Sequence, residues 1–499
     1  MTTIEDLKTT YRDLTMLMSA LALMGWDQRT YMPDEGANHR AEAFGFIHSD
    51  FFKRATSDEV GNMISDLKSP ETYGSLSFVE KSMVDKADRE YRRAKAIPPE
   101  LMHRYSVLST KCEKIWETAR KRDDYEMFKP HFKELLSIVK EMTRHYGYED
   151  NPYDALVDNY EPGMTAAKIK AIIYPLRDHL VPLVEDLSRR SKDSGEISMN
   201  GHYPANLQKK LFLNVLEVMG FDFSRGRIDE TAHPFTTSIG PGDIRISTKY
   251  LEHDFTIGLF GTMHECGHGM YEMGYDDEHV YTPVYGPASL GIHESQSLMF
   301  ENHIGRSLPF LTYFYPKIQE IFPRRLSDIS LHDFYRAVNT VRPSLIRIDA
   351  DEVTYNLHII IRFELEDAMI NDRLEVDDLP AAWNEKYKQY LGIEPPSDAD
   401  GVLQDVHWSS GMIGYFPTYM LGTLYSAQFY AKAMEDLPNL EEKMTDGDIQ
   451  PLVDWLREKI HKPGAIYKPE ELIERVTGSK PDSKYFIDYI TRKFSDLYR

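Results

Sequence analysis

Two histidines set one helical turn apart constrain this chain more tightly than any other feature of it. Residues 263–271 read M-H-E-C-G-H-G-M-Y. His264, Glu265 and His268 thus form the H-E-x-x-H arrangement, in which two imidazoles hold a zinc ion and the glutamate serves as general base. An α-helix turns once every 3.6 residues, which stacks side chains four apart on one face and lets both imidazoles grip one cation. Glu265, beside the first of them, reaches a water at the metal without occupying the metal itself. The residues before the motif predict that helix, because Phe255, Leu259 and Met263 recur at helical spacing. Gly267 and Gly269 each weaken a helix by roughly 0.5–1 kcal/mol relative to alanine, a sensible cost where another segment approaches closely. The bland alternative is a core helix whose histidines are merely hydrogen bonded.

With 499 residues, 41% of them hydrophobic, the chain can bury a large core and is expected to divide into two or more lobes. Acidic residues outnumber basic ones by 80 to 58, giving a formal charge of -22. No lysine and arginine cluster with interleaved aromatics is present, which argues against a nucleic-acid partner. Only Cys112 and Cys266 occur, too few and too far apart for a disulfide framework, so a reducing compartment is inferred. The apolar run at 14–26 is shorter than a membrane span and no recognisable cleavage signal follows it. The expectation is a cytoplasmic protein without a membrane partner. Cys266, between the two histidines, should point off their face as a packed small side chain.

Most of the chain reads as helix. Periodic segments lie at 4–24, 37–47, 78–93, 101–120, 125–144, 165–190 and 207–219, with Pro33, Pro98, Pro99 and Gly220 as breaks and a polar connection at 191–196. Their many charges read as solvated helix faces. Between 231 and 250 the pattern changes to short β-like pieces around Gly240, Pro241 and Gly242, predicting a two-stranded ribbon or tight projecting loop. Such a ribbon is marginal alone but stable against helices, and its place just before the metal helix makes it a candidate groove wall. Helix resumes at 419–434 and after Trp455. Residues 470–498 should complete the fold through Leu472, Val476, Tyr485, Phe486, Ile490 and Phe494. No internal repeat is evident.

A catalytic zinc site normally takes three protein ligands. Glu294, in the helix-compatible run I-H-E-S-Q-S-L-M-F-E-N-H, is the best third. Glu301, seven residues on and nearly on the same helical face, could orient the ligands or be a surface charge. His293 is rotated about 100 degrees from Glu294 and fits the same ion less well. Arg347 is embedded in apolar residues and followed by Asp349, Asp351 and Glu352. It is either a surface salt bridge or, through its planar fork, an anchor for a substrate carboxylate. His407 and a tyrosine, Tyr415 or Tyr419, suit donation to a developing oxyanion, while Trp408 reads as packing.

Six ordered motifs make the chain resemble the Taq-type metallocarboxypeptidase family over essentially its whole length. They are H-P-F at 233–235, D-I-R-I-S at 243–247, the zinc motif, H-E-S-Q at 293–296, I-R-I-D-A-D at 346–351 and G-V-L-Q-D-V-H-W at 401–408. Ser247 stands where the family has threonine, which keeps a hydroxyl and loses a methyl. The resemblance implies a mainly α, elongated, two-lobed helical peptidase in one unit of residues 1–499, with a deep groove and a small β ribbon beside the metal-binding helix. It is similar in broad fold to thimet-type oligopeptidases and angiotensin-converting-type enzymes. It implies a homodimer that removes C-terminal residues from peptides with a free carboxylate. The implied metal is Zn2+, with Co2+ as an alternative, held by His264, His268 and Glu294, and Glu265 is the implied base. Arg347 is the implied carboxylate contact, with Asp243 and Arg245 in the loop that limits the groove's deep end. His407 and Tyr419 look like the oxyanion donors, with Tyr415 close by. The rival readings are an oligopeptidase using the same residues and a silent peptide-binding scaffold.

Overall fold

The computed structural model describes residues 2–195 and 197–498. It is mainly helical, with one small sheet inserted before the helix that carries the paired histidines. The first helix, α1 (Ile4–Thr30), begins at a reciprocal cap in which the Thr3 hydroxyl accepts from the Asp6 amide and the Asp6 carboxylate accepts from the Thr3 amide. It continues beyond residue 24 because Trp26 still lies on its buried face with Leu7, Leu14 and Leu21. The helix expected at 165–190 runs to Asp193 and so takes in most of the connection expected at 191–196, of which Glu196 lies outside the described residues. At the far end, Pro469–Thr477 and Lys484–Leu497 are helices that bury Leu472, Phe486, Ile490 and Phe494.

The ribbon expected between 231 and 250 is a three-stranded sheet. Strands β1 (Gly226–Glu230), β2 (Thr236–Gly240) and β3 (Asp243–Thr248) run in the order β1-β3-β2. β2 returns antiparallel on β3, as a hairpin does, with Thr236 opposite Ile246. β1 pairs in parallel with the other edge of β3, with Gly226 opposite Ile244. A third strand turns a marginal ribbon into a platform. Ile244 and Ile246 are buried on its inner face.

Against that face lies α2 (Phe255–Met273), longer than the periodic run that predicts it and carrying both histidines near its middle. It is followed by α3 (Leu290–Leu298), which passes into a π-helical segment, Met299–Gly305. Gly267 and Gly269 of α2 have the close-packing role the sequence suggests. A Cβ on Gly267 would lie 2.3 Å from the Gln296 carbonyl of α3, and one on Gly269 would press at 3.1 Å on Ile246 of β3. Two later helices, α4 (Tyr355–Ile370) and α5 (Pro417–Asp436), complete the surroundings. α5 is seated so close to α3 that a Cβ on Gly422 would meet the Glu294 side chain at 2.6 Å. One large buried cluster runs from Ile97 to Tyr498. A separate one joins Leu7, Val60, Ile64, Leu67, Met83, Val84 and Ala87 to Val284.

Candidate metal centre

His264 and His268 come from successive turns of α2, their rings 4.9 Å apart and nearly perpendicular. Glu294 enters from α3, its Oε2 lying 3.9 Å from His264 Nε2 and 3.5 Å from His268 Nε2. One ligand atom from each of the three side chains falls within 4.8 Å of the others. The side chains are only 23%, 15% and 12% exposed.

Each imidazole is held from behind, which fixes which nitrogen faces Glu294. His264 Nδ1 is 2.9 Å from Glu301 Oε2, and Arg306 donates to the other oxygen of Glu301 at 3.1 Å. His268 Nδ1 donates to the His293 carbonyl at 3.1 Å. Both rings therefore turn Nε2 to the same point, as metal-ligating histidines do. Burial opposes protonation of His264, but Glu294, Glu301 and Glu265 together outweigh it and hold its pKa up at about 10. Glu301, opposed by burial but bound to His264 and Arg306, is pulled down to about 2. This surplus of negative charge around two nitrogens and an oxygen is what a divalent cation neutralises, so the donor set fits one. Glu301→Gln should weaken metal affinity about 10- to 100-fold, the usual effect of removing a ligand's own partner. Competition with a chromophoric chelator measures it, and unchanged affinity would make Glu301 a bystander.

Glu265 lies next to His264 on α2, is 8% exposed, and has its carboxyl pKa raised by burial. Its Oε2 accepts from the Thr236 hydroxyl of β2 at 2.6 Å. His293 turns its ring to Glu272, with Nε2 2.9 Å from Oε1, and its Nδ1 touches His268 Nδ1. Cys266 is free and fully buried.

A second group of side chains is gathered from the turn ahead of α4, from α4, from the loop before α5 and from the start of α5. Arg347 is no surface salt bridge. It is 6% exposed, and its partner is Asp405, which accepts from Nε at 3.0 Å and Nη2 at 2.9 Å. Its Nη1 reaches the Tyr355 hydroxyl at 3.1 Å. Two of the three acids beside it in sequence are engaged elsewhere, Asp351 with the amides of Arg342, Val353 and Thr354, and Glu352 with Lys493. Arg362 of α4 shares Asp405 from the other side at 2.6 Å. The Arg347 guanidinium lies 5.2 Å from the Tyr419 ring, whose hydroxyl is 3.4 Å from His407 Nε2. Tyr415 packs on both His407 and Tyr419, at 5.5 and 5.2 Å. The charge of Glu294 acts on Tyr355, Tyr415 and Tyr419, which ties this wall to the ligand cluster. Asp243 and Arg245 pair with each other on β3 at 2.8 Å, and Arg245 lies 5.8 Å from the Trp26 ring.

Sequence reasoning missed Thr236, Tyr355, Arg362 and Asp405. Asp405 had a signal, since it is the aspartate of the Q-D-x-H-W run. Thr236 follows directly on H-P-F.

A helix-borne histidine pair completed by a glutamate from a facing helix, in a mainly helical body with a small sheet alongside, defines a metallopeptidase. Residues 6–494 match the family model described as Carboxypeptidase Taq (M32) metallopeptidase. The chain is 43% identical over 479 residues to Carboxypeptidase 1 of Bacillus subtilis, covering 96% of this chain and 95% of that one. It is 42% identical over 497 residues to Thermostable carboxypeptidase 1 of Thermus thermophilus, covering 98% and 97%. Its fold superposes on the crystal structure of an M32 carboxypeptidase from Deinococcus radiodurans with a TM-score of 0.95 at 36% identity, over 99% of both chains. The chain belongs to the Carboxypeptidase Taq (M32) metallopeptidase family and has its elongated, mainly helical architecture. Among the described residues no helix is long and apolar enough to cross a membrane.

Proposed function

We propose that the protein is a zinc-dependent carboxypeptidase that hydrolyses residues from the C termini of peptides. The observation that carries this reading is the convergence of His264, His268 and Glu294, each imidazole oriented from behind, with Glu265 buried alongside. Zinc is the proposed ion and cobalt the alternative, because nitrogen and oxygen donors accept both. When bound, such a cation supplies Lewis-acid polarisation and lowers the pKa of an attached water.

The protein's own residues divide the remaining work. Glu265 takes the proton of the attacking water and hands it to the departing amine. His407 and Tyr419 donate to the oxygen that becomes negative, with Tyr415 the alternative donor. Both carry the hydrogen they need near neutral pH. Burial, aided by Arg347 and Arg362 against Asp405, holds His407 at about 4, so the ring is a neutral N–H donor, and burial keeps the Tyr419 phenol protonated.

Arg347 is the proposed anchor for the substrate carboxylate, and Asp243 and Arg245 close the deep end of the groove. Two arginines share the single carboxylate of Asp405, so one positive charge is left unmatched in a buried setting. A guanidinium has five N–H donors, of which Asp405 and Tyr355 engage three, leaving two for a bound carboxylate. The proposal includes a homodimer in a reducing, cytoplasmic setting, in keeping with two free, buried thiols.

The test compares one peptide as free acid and as C-terminal amide, with products followed in time by mass spectrometry. The free acid should shorten stepwise from its C terminus and the amide should be cut far more slowly. Equal rates would remove the Arg347 anchor, and initial internal cuts would replace a carboxypeptidase with an oligopeptidase.

A further inference from the structure

Phe235 of the H-P-F run and the serine that ends D-I-R-I-S form no hydrogen bond with His264, His268 or Glu294, yet both are built into the platform beside Glu265. Ser247 is fully buried. Its hydroxyl donates to the Phe235 carbonyl at 3.0 Å and accepts from the Phe235 amide at 2.8 Å and the Thr231 hydroxyl at 2.9 Å. That is the full complement of one donor and two acceptors. The Phe235 ring is clamped as well, 5.2 Å from Trp26 and with the Arg29 guanidinium 4.7 Å from its centroid. The next residue is Thr236, at the start of β2 opposite Ile246. The sheet is fastened to α2 by the Thr248 and Thr262 hydroxyls, 2.7 Å apart. With both neighbouring elements fixed, the Thr236 hydroxyl meets Glu265 in two places, Oε2 at 2.6 Å and the backbone carbonyl at 3.2 Å.

The geometry points to Thr236 as the positioning residue of the general base, holding Oε2 of Glu265 so that Oε1 is the oxygen presented to the attacking water. This rests on the reading of Glu265 as the base. A hydroxyl has one hydrogen, and the shorter contact, to the charged oxygen, takes it. The carboxylate is thereby tied to the sheet as well as to its own helix, which removes the side-chain freedom that would otherwise spread it over several rotamers. It also gives Phe235 of H-P-F and the closing serine of D-I-R-I-S a task. Phe235 and Ser247 fix the strand from which Thr236 reaches Glu265, and the Ser247 hydroxyl is the part of that residue the task requires, so serine serves there as threonine would.

Thr236→Val keeps the β-branched shape and removes the hydrogen bond. In the metal-loaded protein kcat on a free-acid peptide should fall about 10- to 100-fold, the scale of a hydrogen bond to a charged group. KM and metal content should change little. Thr236→Ser, which restores the hydroxyl alone, should recover most of the loss. A crystal structure of Thr236→Val should show the Glu265 carboxylate turned from its present position. If the valine side chain disturbs folding, Thr236→Ala carries the same expectation. Wild-type kcat in the valine or alanine variant, a serine variant as impaired as the valine one, or an unmoved carboxylate would each overturn the assignment. Glu265→Gln, assayed alongside, separates the two levels. If it is active and metal-loaded, the general-base reading itself fails. If it is inactive beside a fully active Thr236→Val, only the role of Thr236 fails.

Discussion

Glu265→Gln should yield a folded, metal-loaded protein whose kcat is about 100- to 10,000-fold below wild type, the range general acid–base groups contribute. The substitution is nearly isosteric, and glutamine still offers an oxygen to the Thr236 hydroxyl, so the platform around it should not move. What glutamine cannot do is accept and return a proton. The proposed metal ligands are other side chains, so metal content measured by atomic emission should match wild type. KM should shift little, because the carboxylate proposed to anchor substrate binds elsewhere, at Arg347. Turnover by the metal-replete variant at a rate near wild type would remove Glu265 from the chemistry and leave the ligand cluster without an assigned base.

How much of this was readable beforehand follows the reach of each signal along the chain. The pair His264 and His268 is a local pattern, as is the apolar spacing ahead of it, and helix periodicity reports both. Glu294 was accessible because few carboxylates lie in a helix-compatible run close behind the motif. The platform strand β1 was not, since G-R-I-D-E offers a single apolar residue, Ile228, and its pairing with β3 is a parallel contact no local pattern encodes. One of the two readings of Arg347 makes it a surface salt bridge, yet its partner Asp405 is buried and lies 58 residues away. Thr236 and Glu265 are 29 residues apart on different elements. Periodicity identifies the face a residue occupies. Which side chain stands opposite is decided by tertiary packing.

Asp405→Asn should be the most destabilising single change around the site, by about 3–5 kcal/mol, because it leaves buried arginines without their counter-charge. Arg362 is fully buried and Arg347 nearly so. Arg362 retains neutral partners in the Gln404 side chain and the His358 carbonyl, but no anion. Removing one arginine instead is the milder change. Arg347→Met leaves Asp405 and Arg362 as a matched pair, so it should cost less than Asp405→Asn while still abolishing the preference for a free-acid peptide. The same network sets a pH dependence. Burial opposes ionisation of Asp405, but Arg362 and Arg347 hold its carboxyl well below the usual carboxylate range. A depressed folded-state pKa means the stabilisation is fully present above the unfolded value of about 3.9 and is lost as pH falls through the folded one. Thermal melts of wild type and Asp405→Asn should therefore differ most near neutral pH and converge in strong acid. Equal melting temperatures at neutral pH, or an Arg347→Met variant less stable than Asp405→Asn, would show that the shared carboxylate is not what holds the two guanidinium groups in place.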